Sequence, residues 1–142
     1  MEDGLDLGEN TKAAIMRRGF AEMVRVGQSY GAMPETFNGP AGIYDMIVTC
    51  QSPDSRNRLV GERVAQGKAL DAVLHELIRE RRGEPEGPEM VKVVYRLNGN
   101  LGLRLFETVY DVLYRGGDAK SCITRLLEYP QPLLQVTGQA KI

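Results

Sequence analysis

Apolar residues in this chain recur at three- and four-residue intervals in short blocks, and turn-forming residues close each block. Met16, Phe20, Met23, Val24 and Gly27 make one stripe, with Arg18, Glu22 and Arg25 on the opposite face. Leu59, Val60 and Val64 make a second, and Leu70, Val73, Leu74, Leu77 and Ile78 a strongly one-sided third. Met90, Val91, Val94 and Leu97 follow, then Leu105, Phe106, Val109, Tyr110 and Leu113, then Ile123, Leu126 and Leu127. A period near 3.6 residues is that of helices burying one face. Asn38-Gly39-Pro40, Ser52 to Ser55, Gly83 to Glu89, Asn98-Gly99-Asn100, Gly116-Gly117 and Pro130 separate the blocks, and glycine and proline there stop one helix before the next begins. No alternating stretch is long enough for a strand and no segment repeats, so the class is all-α.

The 142 residues suffice for one domain with a core of its own. Lysine and arginine number 18 against 19 acidic residues, a net charge of −1, which gives no electrostatic case for nucleic acid or an anionic membrane. Apolar runs are too short to span a bilayer, and the acidic start lacks the regions of a signal peptide. Cys50 and Cys122 stand apart and His75 is the single histidine, so a reducing compartment and no metal site are expected. His75 lies off its apolar stripe and is read as solvent-facing. Residues 1–9 read as the remnant of an interdomain linker, 10–130 as the helical domain capped at Asn10 or Thr11, and 131–142 as a tail. Pro88 suits the first turn of a helix, Asp118 the cap of the last, and Arg79, Arg81 and Arg82 the end of theirs.

One helix breaks the pattern. Within Ala41 to Cys50, Asp45 and Thr49 lie four apart on an otherwise apolar element and so share a face. A buried carboxylate needs a partner, and the nearest candidates are the Arg56 guanidinium and the Asn57 amide. The Ser52-Pro53-Asp54-Ser55 turn puts Ser55, Arg56 and Asn57 at the start of the next helix, where backbone N–H groups favour anions. This set suits a small phosphorylated polyol; a structural ion pair is the alternative. There is neither a Walker-type loop nor a G-x-G-x-x-G turn, so nucleotide binding cannot originate in this chain alone.

Six blocks together resemble the C-terminal, helical domain of NAD-dependent glycerol-3-phosphate dehydrogenase. They are Gly8-Glu9-Asn10-Thr11-Lys12-Ala13-Ala14 with Arg18-Gly19, Pro34-Glu35-Thr36-Phe37, Ala41-Gly42 through Asp45 to Thr49-Cys50, Ser55-Arg56-Asn57-Arg58, Glu86-Gly87-Pro88-Glu89, and Leu105-Phe106-Glu107 with Val109-Tyr110. The resemblance runs from about Gly4 to Tyr129. It implies a fold of the 6-phosphogluconate dehydrogenase C-terminal-like type without its N-terminal Rossmann domain. It also implies a role in interconverting sn-glycerol 3-phosphate and dihydroxyacetone phosphate in the cytoplasm. NAD would be bound mainly by the absent domain, which with an upstream segment carrying the acid/base lysine would be the partner of this chain.

On the same resemblance Asp45 and Thr49 are the catalytic-site residues, Ser55, Arg56 and Asn57 hold the substrate phosphate, and Arg56 and Glu86 reach the cofactor. Lys12 matches a basic position without a catalytic role. A homodimer is implied, with the Leu105 to Leu113 helix as the candidate buried surface. Tyr44 stands where the family usually has Gly or Ala, and Arg104 where Pro is common. The final Ala140-Lys141-Ile142 faintly resembles a peroxisomal or glycosomal address. The competing reading is a non-catalytic helical module for dimerisation or scaffolding; under both, the isolated chain is expected to be inactive.

Overall fold

In the computed structural model, residues 5 and 7–130 are described. They form seven α-helices with no strand among them. These are α1 (Glu9–Ser29), α2 (Asp45–Gln51), α3 (Arg56–Ala65), α4 (Leu70–Arg79), α5 (Gly87–Leu97), α6 (Arg104–Tyr114) and α7 (Ala119–Glu128). A 3₁₀ turn, Pro34–Asn38, and a π-helical turn, Pro40–Tyr44, lead from α1 into α2. The expected tail and its last three residues lie outside the described residues, as do residues 1–4 and 6 of the expected linker. No described helix is long and apolar enough to cross a membrane.

Two clusters share the core. Val60, Val73 and Leu77 join α3 to α4, with Leu59, Val64, Leu70, Leu74 and Leu113 against them. Val112, Ala119 and Cys122 join α6 to α7, with Leu5, Val64 and Ala65 against them. Val64 touches both clusters, so the two helix pairs share one interior. Leu5 packs against the second cluster, and α1 begins at Glu9 after Gly8, which makes no side-chain cap bond, so neither Asn10 nor Thr11 is the cap. The Gly8 carbonyl accepts from Thr11 N and Lys12 N at 2.9 and 3.1 Å instead.

The turns are built as their residues dictate. Ser55 Oγ accepts from Arg58 N at 3.3 Å and Asp118 Oδ2 from Ser121 N at 2.8 Å, capping α3 and α7. Pro88 lies in the first turn of α5. Arg63, Lys68, Glu76, Glu80, Arg82 and Asp54 form a chain of surface ion pairs, so Arg82 does more than balance a helix end. His75 is exposed, its Nδ1 2.8 Å from the Asp71 carbonyl oxygen.

The polar face of α1 departs from its sequence reading. Glu22 is completely buried and Arg18 nearly so, at 0 and 6 % exposure. Glu22 accepts from Leu105 N at 2.8 and 3.0 Å and from Phe106 N at 3.1 Å, serving the start of α6 from another helix. The reason is local: Leu103 precedes α6 and offers no capping side chain, so the orphan N–H groups need an acceptor from elsewhere. On α5 only Val91 and Val94 of the expected stripe are buried, whereas Met90 and Leu97 are exposed with Val93. The helix proposed for dimerisation, α6, packs on α1, α5 and α7, and its stacked Tyr110 and Tyr95 rings lie 3.9 Å apart. Of α6 only Val112 is buried, whereas Leu105, Phe106, Val109, Tyr110 and Leu113, all expected inward, are half-buried.

Candidate functional site

Phe37 fixes the approach to the site helix. Its ring lies where a side chain on Gly27 would stand, and its backbone occupies the space beside the buried Gly42, with Phe37 C and Cα at 2.6 and 2.7 Å from an ideal Cβ there. Only glycine allows both approaches. The π-helical turn then brings Asp45 into position, its N–H directed at the carbonyls of Pro40 and Gly42. Such turns are uncommon and often accompany function. The expected continuous helix from Ala41 to Cys50 is therefore two segments, with Asp45 and Thr49 both on α2.

Asp45 is exposed and Thr49 half-buried. The buried pairing of Asp45 with Arg56 or Asn57 does not occur. Arg56 Nη1 donates to the Glu84 carbonyl at 2.8 Å, and Asn57 Oδ1 accepts from Gly87 N at 2.9 Å. Both side chains thus tie the start of α3 to the Gly83–Gly87 loop. The reason is reach: that loop offers backbone partners to both, while nothing forces a solvated carboxylate to find a cation. Gly87 leaves the room that Asn57 uses, since a Cβ there would lie 2.5 Å from Asn57 Oδ1.

The arrangement consequently gathers Ser55, Arg56, Asn57 and the loop carrying the exposed Glu86, and leaves Asp45 and Thr49 on the neighbouring helix without a bond to them. Ser55 is committed to capping. Arg56 keeps Nε and Nη2 beyond its single carbonyl bond, and the open N-terminus of α3 adds partial positive charge. Tyr44, the last residue of the π-helical turn, and Val48 are 61 and 64 % exposed, so the Asp45 face is flanked by large apolar groups in water. Beside it, a cleft of about 310 Å³ is lined by Glu9, Lys12, Met16, Cys50, Gln51 and Arg58. The sequence reading gave Gln51 and Arg58 no role; their adjacency to Thr49-Cys50 and Asn57 was the available signal. Among the described residues no group of His, Cys, Asp or Glu could hold a metal ion.

Comparison with known proteins identifies the family of the fold. Residues 1–124 match the family model described as the NAD-dependent glycerol-3-phosphate dehydrogenase C-terminus. The chain is 41 % identical over 127 residues to glycerol-3-phosphate dehydrogenase [NAD(P)+] 1 of Salinibacter ruber, which covers 88 % of this chain and 36 % of that protein. It is 43 % identical over 129 residues to the enzyme of that name from Geobacter sulfurreducens, covering 89 and 37 %. Among solved structures, the glycerol-3-phosphate dehydrogenase of Coxiella burnetii superposes with a TM-score of 0.80 at 30 % identity, over 90 % of this chain and 39 % of that one. This chain thus spans little more than a third of the length of these relatives. The match extends through α1 to α6 and into α7, and the chain belongs to the family of the NAD-dependent glycerol-3-phosphate dehydrogenase C-terminus.

Proposed function

We propose that this chain is the substrate-binding domain of an oxidoreductase interconverting sn-glycerol 3-phosphate and dihydroxyacetone phosphate. The observation that carries the reading is the joint placement of Arg56 and Asn57 at the start of α3, both held against the loop of Glu86. Arg56 and the α3 N-terminus neutralise the phosphate dianion, and the Asn57 amide adds an N–H donor while its oxygen stays on Gly87. Asp45 and Thr49 serve the reacting end of the substrate: Thr49 as a hydroxyl partner, Asp45 as the carboxylate that orients an ammonium brought by another segment. Glu86 and Arg56, both exposed on one loop-helix junction, suit the polar edge of a dinucleotide. That cofactor, NAD or NADP, supplies hydride chemistry when bound mainly by a separate domain.

A chimaera tests this directly. The chain replaces the matching third of the Geobacter sulfurreducens relative, and turnover of dihydroxyacetone phosphate is measured with reduced cofactor. Activity is expected in the chimaera and none in the isolated chain. Arg56→Lys exchanges a planar fork for a point charge. It should lower kcat/KM by about 100-fold, the worth of one to two charge-assisted hydrogen bonds, while the thermal midpoint stays within about 2 °C. A folded chimaera with no turnover would favour the non-catalytic scaffold reading, and unchanged kinetics in Arg56→Lys would make Arg56 structural.

A further inference from the structure

A second cationic cleft lies away from this site, where α1 meets the start of α6 and the end of α7. Three guanidiniums line it, those of Arg18, Arg25 and Arg104, together with Glu22, Gly102 and Tyr129. The protein satisfies Arg18 and Arg25 only in part. Arg18 Nη2 donates to the Tyr129 carbonyl at 2.7 Å. Arg25 approaches Glu22 Oε1 only to 3.8 Å, outside hydrogen-bond range. The Nε atoms of Arg18 and Arg25 are both buried and meet no acceptor. Glu22 is the nearest carboxylate, but its oxygens accept from the backbone N–H groups of α6 and it makes no hydrogen bond to either Nε.

Arg104 bonds Glu107 at 3.1 Å and lies 5.3 Å from the centre of the Tyr129 ring. Burial lowers the Arg18 pKa from its usual range, Glu22 partly restores it, and Arg17 and Arg25 lower it further. Two guanidiniums with buried Nε atoms short of acceptors are costly, and an anion relieves that cost.

We propose that this cleft binds a small oxyanion, a phosphate or carboxylate of metabolite size, between Arg25 and Arg104 with Arg18 behind it. The cleft is about 220 Å³, smaller than the roughly 300 Å³ at which drug-sized pockets begin, and so suits a small anion. Arg25 and Arg104, with side chains 26 and 55 % exposed, carry the reachable N–H groups. Gly102 has open space where a side chain would begin and leaves room at their side. A bound anion clips α1 to the start of α6 and, through Arg18 and Tyr129, to the end of α7, and raises the melting temperature by mass action.

The test is a nuclear magnetic resonance titration of the 142-residue chain with inorganic phosphate and, separately, acetate, each against sodium chloride at matched ionic strength. Saturable shifts at Ala21, Gly102 and Arg104 are expected with one of the two anions. Phosphate selects a tetrahedral ligand and acetate a carboxylate. Arg25→Gln and Arg104→Gln each weaken binding by roughly tenfold, the loss of one charge-assisted hydrogen bond. Arg56→Gln leaves it unchanged, which separates this cleft from the site proposed above. Arg104 is exposed and outside the core, so its variant reports even where Arg25→Gln does not fold. Shifts reproduced by chloride, shifts confined to Ser55 to Asn57, no saturation with either anion, or wild-type affinity in Arg104→Gln would overturn the proposal.

Discussion

Glu22 offers the most direct measure of how this fold holds itself together. Replacing it with alanine leaves Leu105 N and Phe106 N, now bonded at 2.8 to 3.1 Å, without an acceptor at the α1–α6 contact. Each orphaned donor costs about 1 to 3 kcal/mol. Arg25, 3.8 Å away, and the buried Arg18 lose their nearest negative charge. Removing an ionised group from a completely buried position offsets part of this. The net loss for Glu22→Ala is about 3 kcal/mol, a large share of the roughly 5 to 15 kcal/mol that stabilises a domain, and lowers the melting temperature by on the order of 10 °C. Glu22→Gln keeps the shape and one acceptor oxygen, so roughly half that loss is expected.

The assay is thermal denaturation followed by circular dichroism, with amide exchange at Leu105 and Phe106 as the local readout. Burial raises the Glu22 pKa above its usual 4.5, opposed in part by the two backbone N–H donors, Arg25 and Arg18. A raised folded-state pKa means that the contribution is fully present below 4.5 and is lost as pH rises through the folded value. Wild type should therefore gain on Glu22→Gln as pH falls from 7 towards 4.5. A Glu22→Gln melt indistinguishable from wild type at every pH, with unchanged exchange at Leu105, would refute the capping argument.

Three further substitutions separate stability from binding. Gly42→Ala drives a Cβ into the Phe37 backbone and should cost about 1 to 3 kcal/mol by overpacking, read in urea denaturation; an unchanged midpoint would mean that the Phe37 wedge yields freely. Gly87→Ala pushes only on the flexible Asn57 side chain, so the melt should move by less than about 1 kcal/mol while KM for the phosphorylated substrate rises in the chimaera. Asp118→Ala removes the α7 cap. Hydrogen bonds from Ser121 hold the Asp118 carboxyl below its usual 3.8, so the stability it confers is present above 3.8 and lost as pH falls through the lower folded value. The gap between the two melts should close in acid.

Helix number and most helix boundaries were legible because the signals are local. Ser55 and Asp118 cap as their types predict, Pro34 opens a 3₁₀ turn and Pro88 lies in the first turn of α5, and the Leu70 to Ile78 stripe becomes α4 with Val73 and Leu77 fully buried, though Ile78 is exposed. What failed was non-local. Arg18, Glu22 and Arg25 look like a solvated face, since periodicity cannot tell water from the N-terminus of a helix more than eighty residues away. The bare Leu103-Arg104 start of α6 was the one hint. The partners of Arg56 and Asn57 were missed for a related reason: backbone carbonyls and amides have no sequence signature, so the only visible candidate for Arg56 was Asp45.

The same distinction explains the two halves of the proposed site. Arg56 and Asn57 are ordered by backbone groups of this chain, so their side chains lose little further rotamer freedom when a phosphate arrives, and the anion end is preorganised. Asp45 has no such support and stands in water between exposed Tyr44 and Val48. Under the proposed function a segment bearing the acid/base ammonium covers this face. Burying Tyr44 and Val48 contributes roughly 1.5 to 3 kcal/mol each, and excluding water strengthens the attraction between Asp45 and the ammonium. Asp45 can then act only once that surface is closed, whereas the phosphate clamp is complete beforehand. Tyr44, at a position where the resembling family usually has Gly or Ala, enlarges the apolar area available to that closure.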